Sequence, residues 1–131
     1  MSVIVDTSVW SLALRRHKPD NSQVVETFRH EVTQGNVTML GPIRQELLSG
    51  VRDVDLSNTL KDKLHAFPDH PIETEDYENA GHYFNQCRAN GIQGTHTDLL
   101  ICAVAIRCEF NLLTSDKDFE NYAKILPLSL I

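Results

Sequence analysis

VIVDTSVW, residues 3–10, is the stretch whose reading decides the fold. Val3, Ile4 and Val5 form an unbroken β-branched run with no polar alternation. That is the pattern of a strand buried on both faces, as in a parallel sheet. The run stops at one carboxylate, Asp6, and turns through Thr7 and Ser8 into apolar residues at helical spacing. Asp6 therefore stands at the carboxyl end of a central strand, the edge at which open α/β sheets bind ligands. The competing role for Asp6 is that of a plain cap on the helix that follows.

Working outward, Val9, Leu12 and Ala13 share one face of that first helix, which runs into Arg15-Arg16-His17-Lys18 and is stopped by Pro19. Such a basic cluster suits a solvated helix C-terminus; contact with phosphate is the alternative. Asp20-Asn21-Ser22 starts a second helix, and Gly35-Asn36 ends it. Val37–Leu40 reads as a strand and Ile43–Ser49 as a helix behind Gly41-Pro42. Leu56, Leu60, Leu64 and Phe67 mark the next helix, and the two prolines of residues 67–74 permit only a short edge strand around Ile72. An amphipathic helix from Glu75 ends at Asn90-Gly91. Leu99–Ile106 is apolar all round and reads as a buried helix, with Asp98 at its mouth. Residues 111–115 and 128–131 read as the last two strands, around a short helix carrying Phe119, Tyr122 and Ala123. Alternation of this kind predicts one α/β domain over residues 1–131. Its parallel sheet of about five strands, in the order 3-2-1-4-5, has helices on both faces and right-handed crossovers. The first and fourth strands are neighbours in that order, so Asp6 and Asp116 meet at the switch point.

The chain has 131 residues, 41% of them apolar, and a net charge of −6. Negative charge excludes phosphate binding by bulk electrostatics alone. A divalent cation would reverse the sign locally. Three cysteines without C-x-x-C spacing, Cys87, Cys102 and Cys108, fit a reducing compartment rather than disulfides or zinc, and Cys102 and Cys108 read as small core residues. No basic, apolar leader opens the chain, and no apolar run is long enough to span a bilayer, so no membrane role and a cytoplasmic location are expected.

Four acidic residues converge by this folding argument: Asp6, Glu46, Asp98 and Asp116. Each has an ordinary alternative, a cap for Asp98 and a solvated surface residue for Glu46. Together, their mutual repulsion would raise pKa values or retain a proton unless a cation is bound. Oxygen-only ligands select a hard ion, Mg²⁺ or Mn²⁺. Such an ion suits in-line displacement at phosphorus.

DTS at residues 6–8, QELLSG at 45–50, THTDLLICAVA at 95–105 and LLTSDKDF at 112–119 occur in an order that resembles the four motifs of PIN-domain nucleases, and VapC-type toxins of toxin–antitoxin pairs in particular. The resemblance implies a PIN-like, Rossmann-like three-layer sandwich. It implies a Mg²⁺- or Mn²⁺-dependent endoribonuclease that cleaves structured RNA such as tRNA or rRNA and so inhibits translation. It also implies a homodimer and a small cognate antitoxin that inserts Arg or Lys into the acidic site. Asp6, Glu46, Asp98 and Asp116 match the family's acidic set, with Asp6, Asp98 and Asp116 expected on the metal. Ser8 matches a position supporting the first Asp, Thr114 a small polar position, and Asp118 a second acidic position of the last motif.

Competing architectures fit less well. A phosphoacceptor signalling domain needs an acidic pair after the first strand and a Lys after the last. A dehalogenase-type phosphatase needs D-x-D, and Ser8 occupies its second acidic place. A non-catalytic PIN-fold binding module would have no need of all four acids. The six histidines do not pair at metal-ligand spacing. Trp10 reads as core or interface.

Overall fold

The computed structural model describes residues 1–15 and 21–131. The residues from Arg16 to Asp20, which carry most of the basic cluster and the start expected for the second helix, lie outside the described residues. Val3–Val5 (β1) forms the centre of a parallel sheet, flanked by Val37–Thr38 (β2) and Asn111–Leu113 (β3). Val3 pairs with Val37 on one side and with Asn111 on the other. Val3, Ile4 and Val5 are all buried, as a two-faced strand requires.

Among the described residues the sheet has three strands rather than about five. Both missing strands survive as single parallel bridges, Met39 with Asp69 and Leu112 with Leu130, at the outer places of the expected order. His70 N donates to the Met39 carbonyl at 2.8 Å, and Leu112 N to the Ser129 carbonyl at 2.8 Å. Proline limits both edges. Pro68 and Pro71 bracket residues 69–70, and Pro127 precedes the last segment, so backbone donors are missing where a ladder would extend.

Thr7–Ala13 (α1) and Gln23–Thr33 (α2) connect β1 to β2. Gly41–Ser49 (α3) and Val54–Leu64 (α4) follow, and then Thr74–Ala89 (α5) and His96–Cys108 (α6) lead back to β3. Right-handed crossovers place α1 to α4 on one face and α5 with α6 on the other, because the chain reverses direction across the sheet after residue 70. Contacts agree: α1 packs on α2 and α3, α3 on α4, and α5 on α6. Arg44 of α3 ties this side together, donating to Asp69 at 2.9 Å, to the Leu64 carbonyl at 3.1 Å and to the Phe67 carbonyl.

Trp10 is core. It is 3% exposed and makes edge contacts with Phe28 and Phe67 at 4.8 and 5.1 Å between ring centroids. Helix α6 buries Leu99 and every residue from Ile101 to Ala105, as its all-apolar sequence demands. Its C-terminal turn is clamped to α5 by an ion pair. Arg107 Nε and Nη2 reach the two carboxylate oxygens of fully buried Asp76 at 2.6 and 2.9 Å. Asp118–Ala123 (α7) follows β3 and buries Phe119 and Tyr122. No helix among the described residues is long and apolar enough to cross a membrane.

Candidate active site

The site grows from the ends of β1 and β3. Asp6 N donates to the Leu113 carbonyl at 2.9 Å, which carries the sheet pairing one residue past β1 and fixes the Asp6 backbone against β3. Asp6 is also the N-cap of α1, so the capping role holds in part: its Oδ2 accepts from Ser8 N at 3.4 Å. The same oxygen accepts shorter bonds from Ser8 Oγ at 2.7 Å and Thr114 Oγ1 at 3.0 Å. Two hydroxyls from opposite ends of the sequence thus brace one carboxylate that is 6% exposed.

The brace continues into the last motif. Ser115 N donates to Ser8 Oγ at 3.1 Å, and Asp116 N to Thr114 Oγ1 at 3.0 Å. Asp116 Oδ1 in turn accepts from Asp118 N at 2.9 Å, at the start of α7. Ser8 and Thr114 therefore hold the backbone that presents Asp116 as well as the Asp6 side chain.

Asp98 arrives from the other face of the sheet. Thr95 caps α6 by accepting from Asp98 N at 3.1 Å, which fixes Asp98 in the first turn. Tyr122, wholly buried, donates its hydroxyl to Asp98 Oδ2 at 2.8 Å. Burial raises the Asp98 carboxyl pKa above the ordinary carboxylate value. Repulsion from Asp6 and Asp116 adds to the rise, while the Tyr122 hydroxyl opposes it. The Tyr122 hydroxyl is itself pushed well up by burial and by the Asp98 charge, so it remains a donor.

One oxygen from each of Asp98, Asp116 and Asp118 lies within 4.8 Å of the other two. These are oxygen donors only, the set that suits a hard divalent cation. The repulsion that raises the Asp98 pKa is the conflict such an ion removes. The structure thus groups two of the four expected acids with Asp118. Asp6 is close enough to act on the charge of Asp98, but it stands outside that tight group. Glu46 is exposed on α3, outside that tight group, and lines a cavity of about 390 Å³ between α1, α3 and α4 together with Leu14, Leu60 and Lys63.

Tyr122 is the site residue that sequence reasoning missed, because it read only as an inward-facing core residue. The usable signal was its hydroxyl: a buried Tyr in a short helix after the last acidic motif needs a partner. Cys102 behaves as core, its thiol held strongly protonated by burial.

A family model described as PIN domain matches residues 3–125. The chain is 29% identical over 128 residues to VapC ribonuclease Mb1587 of Mycobacterium bovis, a match covering 96% of this chain and 95% of that protein. Among solved structures it resembles FitAcB from Neisseria gonorrhoeae, with a TM-score of 0.77 and 18% identity over 98% of this chain and 96% of that one. It also resembles VapBC2 from Rickettsia felis, solved bound to a DNA fragment from its promoter, with a TM-score of 0.76 and 18% identity over 100% and 98% of the two chains. The strand-end position of Asp6, the grouped aspartates behind it and the family match over nearly the whole chain lead to one conclusion: this protein belongs to the PIN domain family.

Proposed function

We propose that the chain is a Mg²⁺- or Mn²⁺-dependent endoribonuclease, the toxin of a toxin–antitoxin pair, that cleaves structured RNA such as tRNA or rRNA. The observation that carries the reading is the group formed by Asp98, Asp116 and Asp118 at the carboxyl edge of a parallel sheet. The likeness to a VapC ribonuclease supplies the substrate class. When bound, the cation polarises a phosphoryl oxygen, activates water and offsets charge that builds in an in-line displacement. Asp98, Asp116 and Asp118 would hold it, with Asp6 adding negative charge beside them. Ser8 and Thr114 keep Asp6 and Asp116 in place, and Tyr122 orients Asp98. Glu46, on its own helix, would act at a distance from the group.

The partner proposal follows from the same charges. A small antitoxin that places Arg or Lys against Asp6, Asp98 or Asp116 would satisfy the carboxylates without a metal and so block the site, and Arg offers a fork matched to a carboxylate. A homodimer is the proposed assembly of the toxin itself. The test is cleavage of total RNA by the free chain and by the complex purified from its native host, each with Mn²⁺ and with EDTA. The expected result is cutting by the free chain with Mn²⁺ alone. Cutting in EDTA would overturn the metal dependence. A native complex that cuts as fast as the free chain would overturn the blocking partner.

Metal binding also has a stability signature. Saturation at about 100 times Kd adds about 2.7 kcal/mol by mass action, or ~10 °C in Tm for a chain of this length. Without metal, the raised pKa of Asp98 means that its contribution to stability is fully present below the unfolded carboxylate value and is lost as pH rises through the folded one. Bound cation reverses this penalty. The Mn²⁺-induced rise in Tm is therefore expected to be large at neutral pH and to shrink as pH falls through the raised Asp98 pKa. Thermal melts across a Mn²⁺ and pH grid measure it, and an unchanged Tm at neutral pH would contradict the site.

A further inference from the structure

Gly94 is the one glycine held tightly against its neighbours. A Cβ added there would stand 2.5 Å from Leu99 Cδ2, 3.7 Å from Leu99 Cγ and 3.4 Å from Tyr122 Cε1, whereas at the other five glycines the nearest approach is 3.5 Å or more. The Gly94 backbone is not left-handed, unlike that of Gly35 and Gly91. What the position requires is therefore the missing side chain and not the conformational freedom of glycine. Both residues that Gly94 abuts bear on Asp98. Leu99 follows Asp98 in the first turn of α6 and is wholly buried. Tyr122 donates its hydroxyl to Asp98 Oδ2 at 2.8 Å. The residue after Gly94 completes the frame. Thr95 caps α6 by accepting from Asp98 N at 3.1 Å, and its backbone lies close enough to the Tyr122 hydroxyl to oppose the rise in its pKa, as a donor does.

Each motion that would make room for a Cβ disturbs something that holds Asp98. Turning the Tyr122 ring aside carries its hydroxyl off Oδ2. Displacing Leu99, which has no solvent to turn into, shifts the turn that carries Asp98. Withdrawing the loop draws Thr95 from its cap and from Tyr122. The loop is also pinned on its other side: Ile92 N donates to the Cys87 carbonyl at 2.9 Å, and the Ile92 side chain packs on the core. A close-packed interior takes up little added volume without moving side chains or backbone. We propose that Gly94 is a positioning residue for the metal site: by lacking a side chain, it lets the loop seat Tyr122 in the place from which its hydroxyl aims Asp98. The proposal rests on the metal-dependent reading and adds to it a residue that touches neither cation nor substrate. Partners behind a metal ligand fix its orientation, and losing one typically costs about 10–100-fold in metal affinity.

The test is Mn²⁺ affinity, measured by titration calorimetry on the full chain, together with the metal-free Tm. Gly94→Ala is expected to weaken Mn²⁺ binding about tenfold and to lower the metal-free Tm by about 5 °C, as mild overpacking does in a chain of this length. In a Tyr122→Phe background the same substitution is expected to weaken binding by less than about threefold more, because the hydrogen bond through which Gly94 acts is already gone and the two effects do not add. Gly94→Ala combined with Leu99→Val, which lacks the Cδ2 atom nearest the new Cβ, is expected to recover most of the lost affinity. That pair also carries the test if Gly94→Ala does not fold by itself. A lowered Tm with unchanged Mn²⁺ affinity would assign Gly94 to packing only and overturn the proposal. A full tenfold loss in the Tyr122→Phe background, or no recovery with Leu99→Val, would overturn it as well, and all three outcomes leave the metal site standing. A wild-type chain that binds no Mn²⁺ would remove the metal-dependent reading and this proposal with it.

Discussion

Asp98→Asn is expected to lower the rate of RNA cleavage by about a thousandfold while the protein stays folded. The size follows from the several kcal/mol of transition-state charge stabilisation that a bound cation supplies, at about 1.4 kcal/mol per factor of ten. The substitution keeps the shape of the side chain. Asn still accepts from the Tyr122 hydroxyl, now 2.8 Å from Asp98 Oδ2, and its backbone N still donates to Thr95. What it removes is the charge whose burial beside Asp6 and Asp116 raises the Asp98 pKa. The metal-free variant should therefore melt no lower than the wild type at neutral pH, and it should lose most of the Mn²⁺-induced rise in Tm. That pairing separates loss of the cation from loss of the fold. Tyr122→Phe gives a graded comparison: it removes only the hydrogen bond that orients Asp98, and outer-shell changes of this kind typically cost about 10–100-fold in metal affinity. Cleavage by Asp98→Asn at the wild-type rate, with fixed Mn²⁺ and total RNA, would overturn the assignment of Asp98.

The contrast between Asp6 and Tyr122 shows which parts of this site are legible in a sequence. Asp6 follows an unbroken β-branched run, and local patterning alone places it at a strand end. Its bracing by Thr114 follows once β1 and β3 are neighbours, because the strand order sets the residues of two distant motifs side by side. The Tyr122 contact with Asp98 depends on how α7 folds back over α6, and no periodicity reports such a helix-to-helix approach. Glu46 lies within two turns of a strand end and lines the cavity shared by α1, α3 and α4. Which side of α3 it takes is decided by packing, which local patterning does not report. The edge strands are shorter than expected for a more local reason. The two prolines near Ile72 already limit that edge, and at residues 128–131 apolar content argues for pairing while Pro127 removes a donor needed to extend it beyond a single bridge.

Asp76→Ala is expected to destabilise the fold by about 3 kcal/mol, the low end for breaking a buried ion pair, and to lower Tm by ~10 °C. Asp76 and Arg107 are 31 residues apart and lie on different helices, and the pair clamps α5 to the far end of α6. The carboxylate is fully buried and saturated. It takes both Arg107 bonds and a third from Glu73 N at 2.8 Å, which makes it the reciprocal half of the α5 capping box. The low end applies because the guanidinium left behind is 27% exposed and regains some water. The Arg107 guanidinium holds the Asp76 pKa below the ordinary carboxylate value against the opposing effect of burial. A lowered folded pKa contributes stability that is present above the unfolded value and is lost as pH falls through the folded one. Wild-type stability should thus fall at acid pH with a component that Asp76→Ala no longer shows. Replacing both partners, Asp76→Leu with Arg107→Met, should recover most of the loss, since an apolar pair of similar volume needs no desolvation of charge. Urea melts at neutral pH and at acid pH measure all three proteins. A single variant as stable as the wild type, or a double variant no better than the single, would show that the α5–α6 contact is held by its apolar residues and not by this pair.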